Sequence, residues 1–446
     1  MSLLKSYFKV NLLYRMLGAL VIGMMSGLFL WWIQLHTDLP IPDFLRIYVQ
    51  PLGMILVSLL KMVVIPIVFF SLIAGASSLP LKQFGRVGLK VMGWYIGTSL
   101  IAALLGTAIA LWIRPGESVI DFNRLSGTQA LESGIPEQIH LGIGQLLIGM
   151  FENPFSSLSR SQFLPIIVFA ILFGLAYRVV LEQNRTETNR DYLSPILNLI
   201  NQSLFRIVDW IMEYAPVGIL ALSIVNFSSL GPQLILPYFR LAVGVILGIM
   251  VMIGVVYSGL VMIFLRRSPW GIYKQIQSAI ITAFVTRSSA ATLPITLKTV
   301  IQRLGVRREL AEFSLPLGAT INMDGVCIHL PMFAVLAAAL FSIPLGFSRI
   351  SMMVLMTVLA SIGAGGVPGG SLMLLFIILD AIGLSETQTA SIVLFAMGIN
   401  PILDMFETAN NVTGDIICTY VVGTKENMIE PILRKEGESD GFVEKA

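Results

Sequence analysis

The residues with the most distinctive chemistry follow one another in a single stretch, N-P-I-L-D-M-F-E-T-A-N-N-V-T-G-D at 400–415. Within it, Thr408, Asn411 and Asp415 follow Asp404 at spacings of four, seven and eleven residues. A helix turns by about 100° per residue, so this spacing predicts four oxygen-bearing side chains on one helical face. Such a face suits a hard cation or an ammonium group.

This polar face is predicted to lie at membrane depth. It is enclosed by apolar runs at 390–397 and 416–422, and the whole is long enough to cross a bilayer as one helix. Glu407 adds a further carboxylate at its flank. A carboxylate at the bilayer centre costs roughly 2.5–3.5 kcal/mol even on a lenient scale. We therefore predict that these carboxylates meet a cation, an ammonium group or a water-filled cavity. The alternatives are a face that only joins helices and a helix outside the membrane.

A second polar stretch, G-A-T-I-N-M-D-G at 318–325, interrupts an apolar segment. Asn322 and Asp324 in an unwound segment would offer a carboxylate and free backbone carbonyls, which are hard oxygen ligands. Asp415, Asn411 and the Gly318 carbonyl are candidates for a second cation cage. Three further hydroxyl groups cluster upstream, at Tyr95, Thr98 and Ser99. By themselves these are weak evidence, because Ser and Thr commonly pack membrane helices together.

The composition predicts a polytopic, all-helical membrane protein. Of 446 residues, 56% are hydrophobic and only 12% are charged, against about 25% charged in soluble proteins. A net charge of +3 without a basic run argues against nucleic-acid binding. Cys327 and Cys418 both fall in apolar segments, so we expect buried free thiols. The three histidines form no metal cluster, although a minor proton-handling role for His329 stays open.

The distribution of charge predicts the topology. Six apolar segments precede residue 266, at 16–33, 45–76, 88–113, 141–181 (interrupted), 195–228 and 235–265. Lys and Arg mark alternate loops, so both termini are predicted to be cytoplasmic. No small-residue cleavage site follows the first segment, which predicts a retained helix. The charged tail from Lys425 is expected to be solvated.

After Lys274 the apolar segments become too short to span a membrane alone. They form two pairs, 276–286 with 291–300 and 352–362 with 371–382. The first pair is joined by T-R-S-S-A at 286–290 and the second by G-A-G-G-V-P-G-G at 363–370. Each pair predicts a re-entrant hairpin with an unwound tip, which survives at membrane depth only inside protein or beside a cavity. An ordinary helix with a Gly/Pro kink is the alternative.

Each predicted hairpin precedes a helix with a polar interruption, the first at 311–341 and the second at 400–415. Arginines 303, 307 and 308 place the base of the first hairpin on the cytoplasmic side, and one more crossing places the second outside. This is the pattern of an inverted repeat, which puts a binding site near the bilayer midplane. The hairpin tips suit a carboxylate and Asp404 suits an ammonium, and an α-amino acid presents both.

Four motifs give this chain a resemblance to a known family. They are T-R-S-S at 286–289, N-M-D-G at 322–325, G-x-G-G-V-P-G-G at 363–370 and D-x-x-x-T-x-x-N-V-x-G-D at 404–415. In these motifs the chain resembles the glutamate transporters, the dicarboxylate and amino acid:cation symporters, over almost its whole length. The resemblance implies a homotrimer with eight transmembrane helices and two re-entrant hairpins per subunit.

The resemblance also implies an elevator mechanism with two kinds of domain. Residues 1–85 and 115–230 would form a fixed scaffold. Residues 86–114 and 231–424 would form a transport domain that slides across the membrane, with the second hairpin as its gate. Residues 425–446 would be a cytoplasmic tail.

Site residues follow from the motifs by the same resemblance. One sodium site would comprise Tyr95, Thr98, Ser99, Asn322 and Asp324. A second would comprise Gly318, Asn322, Asn411 and Asp415. A third would use backbone oxygens of Thr320, Met323, Ser361, Ile362 and Ala364. The substrate would be bound by Arg287, Ser288, Ser289, Val326, Val367, Gly370, Asp404, Glu407, Thr408 and Asn411. Among these, Asp404 would take the ammonium, and Ser289, Thr408 and Asn411 the α-carboxylate.

Two departures from the acidic-substrate members concern the substrate side chain. Glu407 stands where those members carry an arginine for the side-chain carboxylate, and Val326 replaces an assisting threonine. A glutamate repels an acidic side chain but accepts a hydrogen bond from a hydroxyl. Serine/threonine transporters of the family similarly carry a glutamate there, so we expect Na⁺-coupled symport of a small neutral polar amino acid. Acidic amino acids or dicarboxylates, H⁺ coupling, and cystine or basic amino acids are the alternatives. Asn400 also replaces an aspartate of some members.

Other classes of protein fit less well. A channel needs a continuous polar path, and an enzyme needs a nucleophile–base pair or nucleotide loop that is not evident in the sequence. The expected location is the plasma membrane, as in the inner membrane of a bacterium.

Overall fold

A computed structural model describes residues 10–37, 41–77, 85–116, 148, 150–160, 162–183, 191, 193–363, 366 and 368–430. The helices are α1 (Leu12–His36), α2 (Gln50–Ser77), α3 (Gly85–Ile113), α4 (Pro154–Arg160), α5 (Phe163–Gln183), α6 (Leu193–Leu230), α7 (Ile235–Val251), α8 (Ser258–Leu265), α9 (Pro269–Thr286), α10 (Ser289–Leu304), α11 (Arg308–Ile321), α12 (Asp324–Leu340), α13 (Phe347–Ser361), α14 (Gly370–Ala381) and α15 (Glu386–Lys425). Shorter helical turns lead into α2 (Ile41–Phe44 and Leu45–Val49), join α6 to α7 (Gly231–Leu234) and join α7 to α8 (Met252–Tyr257).

The prediction of an all-helical membrane protein is confirmed. Six helical stretches are long and apolar enough to span a membrane, among the described residues: Leu12–His36, Ile41–Ser77, Gly85–Ile113, Phe163–Gln183, Leu193–Leu265 and Arg308–Leu340. The fifth stretch contains α6, α7 and α8. The 40-residue helix α15 is not in this set. The count of eight transmembrane helices stays a prediction.

The N-terminal helices α1, α2, α5 and α6 pack mainly on one another. α6 is central to this group, because both α1 and α2 lie along it. Arg15 of α1 is buried and forms an ion pair of 2.9 Å with Glu213 of α6. We call these four helices the N-terminal group.

The remaining long helices form a second group around α12. Every residue of α12 except Ala339 is buried, as expected of a helix that is enclosed by protein on all sides. α3 and α15 pack on α12, and so do α7, α13 and α14. The pairs α9 with α10 and α13 with α14 are the two predicted hairpins. We call these helices, from α7 to α15 together with α3, the C-terminal group.

Fewer contacts join the two groups than hold each together. One of these is an ion pair of 2.8 Å between Lys61 of α2 and Glu386 at the start of α15. It borders a space of about 260 Å³ between α2, α4, the start of α5, the end of α14 and the start of α15. The boundary between the groups is therefore less closely packed than either interior.

The prediction of a solvated tail is wrong for its first residues. The backbone N–H of Glu430 donates to Gly305 O over 2.7 Å, and the N–H of Arg307 donates to Met428 O over 2.9 Å. Val306 and Ile429 thereby form an antiparallel bridge. The apolar Met428 and Ile429 pack against the core, which the count of charges in the tail did not indicate. Residues 431–446 lie outside the described part of the chain.

Candidate functional site

The C-terminal group is interrupted at its centre by the predicted break in the N-M-D-G motif. α11 ends at Ile321, and Asn322 and Met323 leave the helical conformation with φ, ψ values of −105°, 79° and −107°, 59°. α12 then begins at Asp324. A helix that ends inside the protein leaves backbone carbonyls of its last turn without helical partners. The break therefore supplies oxygen atoms as well as the Asp324 carboxylate.

Asp324 is the centre of a buried cluster of hydroxyl groups. Ser99 Oγ of α3 donates to Asp324 Oδ1 over 2.8 Å. Tyr257 Oη, from the turn between α7 and α8, donates to Asp324 Oδ2 over 2.7 Å. Thr98 Oγ1 lies 3.3 Å from Asn322 Oδ1. A carboxylate and neutral oxygen atoms enclosed in this way can hold a small hard cation.

A second carboxylate, Asp415 of α15, lies beside this cluster. The Nδ2 group of Asn322 donates to Asp415 Oδ1 over 2.9 Å. Gly318 of α11 makes the approach possible, because a Cβ there would stand 2.4 Å from Asp415 Oδ1 and 2.7 Å from Tyr95 Oη. The predicted members Gly318, Asn322 and Asp415 are thus brought together.

Asn411, the last predicted member of that second site, bonds to the first turn of α12. Its Oδ1 accepts from the Gly325 N–H over 2.7 Å, and its Nδ2 lies 3.2 Å from Met323 Sδ. Asn411 therefore touches the break from the side of the cavity described below. It lies between the predicted cation residues and the predicted substrate residues.

The third predicted sodium site, made of backbone oxygens, stays a prediction. The side-chain hydroxyls of Thr320 and Ser361 donate within their own helices, to Leu317 O and Val358 O. Thr320 is exposed, while Ile362 is half-buried. Ala364 lies outside the described residues.

The tips of the two hairpins meet at Gly366. Its carbonyl accepts from Ser288 Oγ over 2.9 Å and from the Ala290 N–H over 3.3 Å. Ser288 also caps α10 by accepting from the Ala291 N–H. Gly366 has φ +63°, and a Cβ there would lie 2.4 Å from Ala319 O at the end of α11. Only glycine fits this contact without strain.

A small cavity lies beneath the tips. It is lined by Arg287, Ser289, Met323, Val326, Gly366, Gly370, Ser371, Asp404, Glu407, Thr408 and Asn411. Its accessible volume is only about 10 Å³, about the space of one water molecule. An amino acid can therefore enter only if the lining residues move apart.

Charged groups of both signs face this cavity. Asp404 Oδ2 accepts from the Gly369 N–H over 3.0 Å at the second tip. Glu407 Oε1 contacts His329 Nδ1 of α12. Arg287, the residue between α9 and α10 with φ +55°, lines the first-tip side and is buried. A zwitterion can meet an opposite charge at each end of such a cavity.

Most predicted substrate residues share this one cavity. Ser288 does not line it and bonds to the opposite tip instead, and Val367 lies outside the described residues. Sequence reasoning did not name Met323, Gly366 and Ser371 as substrate residues, and it missed Tyr257 and Asn410 behind Asp324. For His329 it left open only a proton-handling role, not the contact with Glu407. Tyr257 lies in an apolar run, and its partner Asp324 is 67 residues away in the chain, so no local signal identifies it.

Paired re-entrant hairpins around a polar site are the architecture of many membrane transporters. The sodium:dicarboxylate symporter family model matches residues 12–425, and the chain belongs to this family.

Three relatives show the range within this similarity. The proton/glutamate-aspartate symporter of Escherichia coli (strain K12) is 29% identical over 95% of this chain and 94% of its own. The neutral amino acid transporter B(0) of Oryctolagus cuniculus is 31% identical over 85% of this chain and 75% of its own. The proton/sodium-glutamate symport protein of Bacillus caldotenax is 30% identical over 85% of this chain and 88% of its own. These relatives are transporters and not enzymes, as predicted.

Proposed function

We propose that this protein is a Na⁺-coupled symporter of a small neutral polar amino acid, with serine and threonine as preferred substrates. The proposal depends above all on Glu407, which places a carboxylate in the cavity beside Asp404. Of its two oxygens, Oε2 has no hydrogen-bond partner among the described residues although it is buried. A buried acceptor of this kind is costly unless a ligand supplies a donor.

The parts of an α-amino acid correspond to different parts of the cavity. The ammonium fits Asp404, and the α-carboxylate fits Ser289, Thr408 and Asn411 beside Arg287. The side chain then faces Glu407 and Val326. A serine or threonine hydroxyl donates to Glu407, and Val326 packs against the threonine methyl. A large apolar side chain leaves the carboxylate desolvated, and an aspartate brings like charges together.

Coupling to Na⁺ is supported by the oxygen cluster around Asp324 and by the neighbouring Asp415. Carboxylate, amide, hydroxyl and backbone oxygens are the ligands of hard cations. We assign the first sodium site to Tyr95, Thr98, Ser99, Asn322 and Asp324, and the second to Gly318, Asn322, Asn411 and Asp415. The third set, at Thr320, Met323, Ser361, Ile362 and Ala364, is carried by the resemblance alone.

For the mechanism we propose that the N-terminal group is a fixed scaffold in a homotrimer and that the C-terminal group moves across the membrane. The sparse packing between the groups supports this division. The second hairpin would be the gate, and the contact of the two tips at Gly366 supports a site that either hairpin can close. We propose a bacterial inner membrane as the location, with both termini cytoplasmic.

The substrate is tested by uptake into proteoliposomes of labelled serine, threonine, alanine, aspartate, cystine and arginine, with an inward Na⁺ gradient. Serine and threonine should lead. In Glu407→Arg the ranking should move towards aspartate, because the charge facing the side chain is reversed. Aspartate leading in the wild type, or an unchanged ranking in Glu407→Arg, would contradict the proposal.

The coupling ion is tested separately, with choline replacing Na⁺ at fixed pH. Uptake should fall to the level of empty liposomes. Equal uptake in choline that instead follows a pH gradient would establish H⁺ coupling, as the names of two relatives indicate for those proteins.

An acidic amino acid is the second candidate, and Arg287 favours it. This guanidinium lines the same cavity and can neutralise a second carboxylate. Arg287→Gln distinguishes the two functions. If the arginine serves the α-carboxylate, all substrates lose affinity together; if it serves an acidic side chain, only aspartate does.

A further inference from the structure

His329 and Glu407 form a buried pair next to the substrate cavity. Both side chains are almost completely inaccessible, at 0% and 1% exposure. Their contact joins Nδ1 of the imidazole to Oε1 of the carboxylate. Because an ionised carboxylate can only accept, we assign the hydrogen of this contact to His329 Nδ1.

The other polar atom of each side chain has no hydrogen-bond partner among the described residues. These atoms, His329 Nε2 and Glu407 Oε2, are both buried. Glu407 lines the cavity and His329 does not. The two residues therefore differ in role: Glu407 meets the cavity and has one oxygen without a partner in this part of the chain, whereas the imidazole stands behind it.

The imidazole is held in place by its surroundings. Its ring packs at 4.7 Å from that of Phe333, one turn further along α12. α12 is enclosed on all sides, and the Gly325 N–H at its first turn is bonded to Asn411 of α15. The helix that carries His329 is thus fixed against the helix that carries Glu407.

We propose that His329 is a specificity-determining positioning residue of this transporter. By donating Nδ1–H to Glu407 Oε1, it fixes the carboxylate so that Oε2 is the one acceptor offered to the substrate side chain. The cavity then favours a side chain that donates one hydrogen bond. It disfavours a side chain that donates none, or that brings an acceptor alone. This inference rests on the proposed binding of the substrate side chain at Glu407.

Without the His329 donor, the Glu407 carboxylate is free to rotate and to turn either oxygen towards other donors in the cavity. Discrimination between serine and alanine, which differ by one hydroxyl, should then decrease. Binding of the ammonium and α-carboxylate at Asp404 and Asn411 should change little, because these two side chains bond to Gly369 and Gly325 and not to His329.

The test uses the matched pair His329→Asn and His329→Gln in the purified full-length protein, with Na⁺ present. The amide nitrogen of asparagine lies close to the position of Nδ1, whereas that of glutamine extends towards the position of Nε2. We measure the dissociation constants of serine and alanine and take their ratio. His329→Asn should keep a ratio near that of the wild type. His329→Gln should lower it by about tenfold, as expected for loss of a hydrogen bond to a charged group.

His329→Phe is the third variant, which keeps an aromatic ring and removes the donor. Its ratio should match that of His329→Gln. In Glu407→Gln, the further change His329→Phe should have little effect on the ratio, because the partner is already altered. A ratio that is unchanged in His329→Gln and His329→Phe would overturn the proposal. So would equal effects of His329→Asn and His329→Gln, which indicate a role in packing alone.

The proposed function and this inference can fail separately. If the wild type binds aspartate, cystine or arginine best, the proposed substrate is wrong. The role of His329 is then decided by whether His329→Gln, and not His329→Asn, alters the ranking of whichever side chains the wild type prefers. If serine and threonine lead but the His329 variants keep that ranking, the proposed function stands and the inference falls.

Discussion

The C-terminal group contains two hairpin-plus-helix halves, α9 to α12 and α13 to α15. They carry similar polar groups on different backbones. In the first half, the helix after the hairpin breaks at Asn322 and Met323 and resumes as α12. In the second half, α15 runs unbroken from Glu386 to Lys425 and presents Asp404, Glu407, Thr408, Asn411 and Asp415 from one continuous helix. Pro401 lies inside α15 without ending it. The first half thus supplies backbone oxygens at the break between α11 and α12, and the second supplies side chains from the continuous helix α15.

In the proposed function, this difference places the first sodium site at the break and the substrate groups along α15. The break gathers Asp324, Asn322 and hydroxyl groups into a compact oxygen cluster, suited to a small cation. The unbroken helix spreads its groups along its length, suited to a molecule with separated charges. The two parts meet where Asn322 bonds to Asp415 and Gly325 bonds to Asn411. A change at this junction should therefore affect both proposed ligands, which would give coupling a physical basis.

The largest effect is expected from removing the charge at the break. Asp324→Asn keeps the volume but removes the carboxylate that accepts from Ser99 and Tyr257. The apparent affinity for Na⁺ should fall by about 100-fold or more, since even changes behind a metal ligand cost about 10–100-fold. Uptake against Na⁺ concentration measures this. Asp209→Asn, at an exposed carboxylate of α6, is the control. An unaltered Na⁺ curve in Asp324→Asn would place the ion elsewhere.

The contact between the two hairpin tips covers the cavity, and a side chain added at Gly366 tests whether uptake depends on it. Gly366→Ala puts a methyl group against Ala319 O at a residue with φ +63°, which costs about 1–3 kcal/mol in backbone strain alone. We expect the uptake rate to fall by about tenfold or more, while assembly is retained. Gly97→Ala in α3, where a Cβ meets nothing within 4 Å, is the matched control. Wild-type uptake in Gly366→Ala would mean that the tips do not need this close contact.

The second half should be more tolerant of losing one charge. In Asp415→Asn, an amide oxygen can still accept from Asn322, so part of the junction survives. The apparent Na⁺ affinity should fall by about tenfold, less than in Asp324→Asn, with the fold intact. Comparing the two Na⁺ titrations, with thermal unfolding as a check, sharpens the contrast between the halves. An effect of Asp415→Asn that equals or exceeds that of Asp324→Asn contradicts it.

The smallest effect on Na⁺ affinity is expected from Tyr257, which bonds to Asp324 from behind the break. Tyr257→Phe keeps the ring and removes the hydroxyl that donates to Asp324 and accepts from Asn410. Loss of this one donor should weaken apparent Na⁺ affinity by about tenfold at most, the lower end of the range for groups behind a metal ligand. Tyr273→Phe, whose hydroxyl bonds to Ile253 O instead, is the control. Equal shifts in both variants would show that the loss is not specific to Asp324.

Much of this arrangement could be predicted from the sequence because its signals are local. Polar residues within apolar runs predicted the break, and Gly-rich and Ser-rich joints between short apolar segments predicted the hairpins. Partners from distant segments could not be predicted in this way. His329 is a single histidine in an apolar run, and Glu407 lies 78 residues further along the chain. Likewise, nothing local in Met428–Glu430 indicates pairing with Gly305 and Arg307.

The ion pair between Lys61 and Glu386 has a consequence for the energy landscape of any relative movement between the two helix groups. The pair must separate when the groups shift, but its side chains are 42% and 84% exposed, so the contact is worth about 0–1 kcal/mol. Breaking a fully buried pair would cost much more and would hold the groups in one position. This solvated pair favours the position in which it forms by no more than a few-fold, and the preference becomes weaker as ionic strength rises.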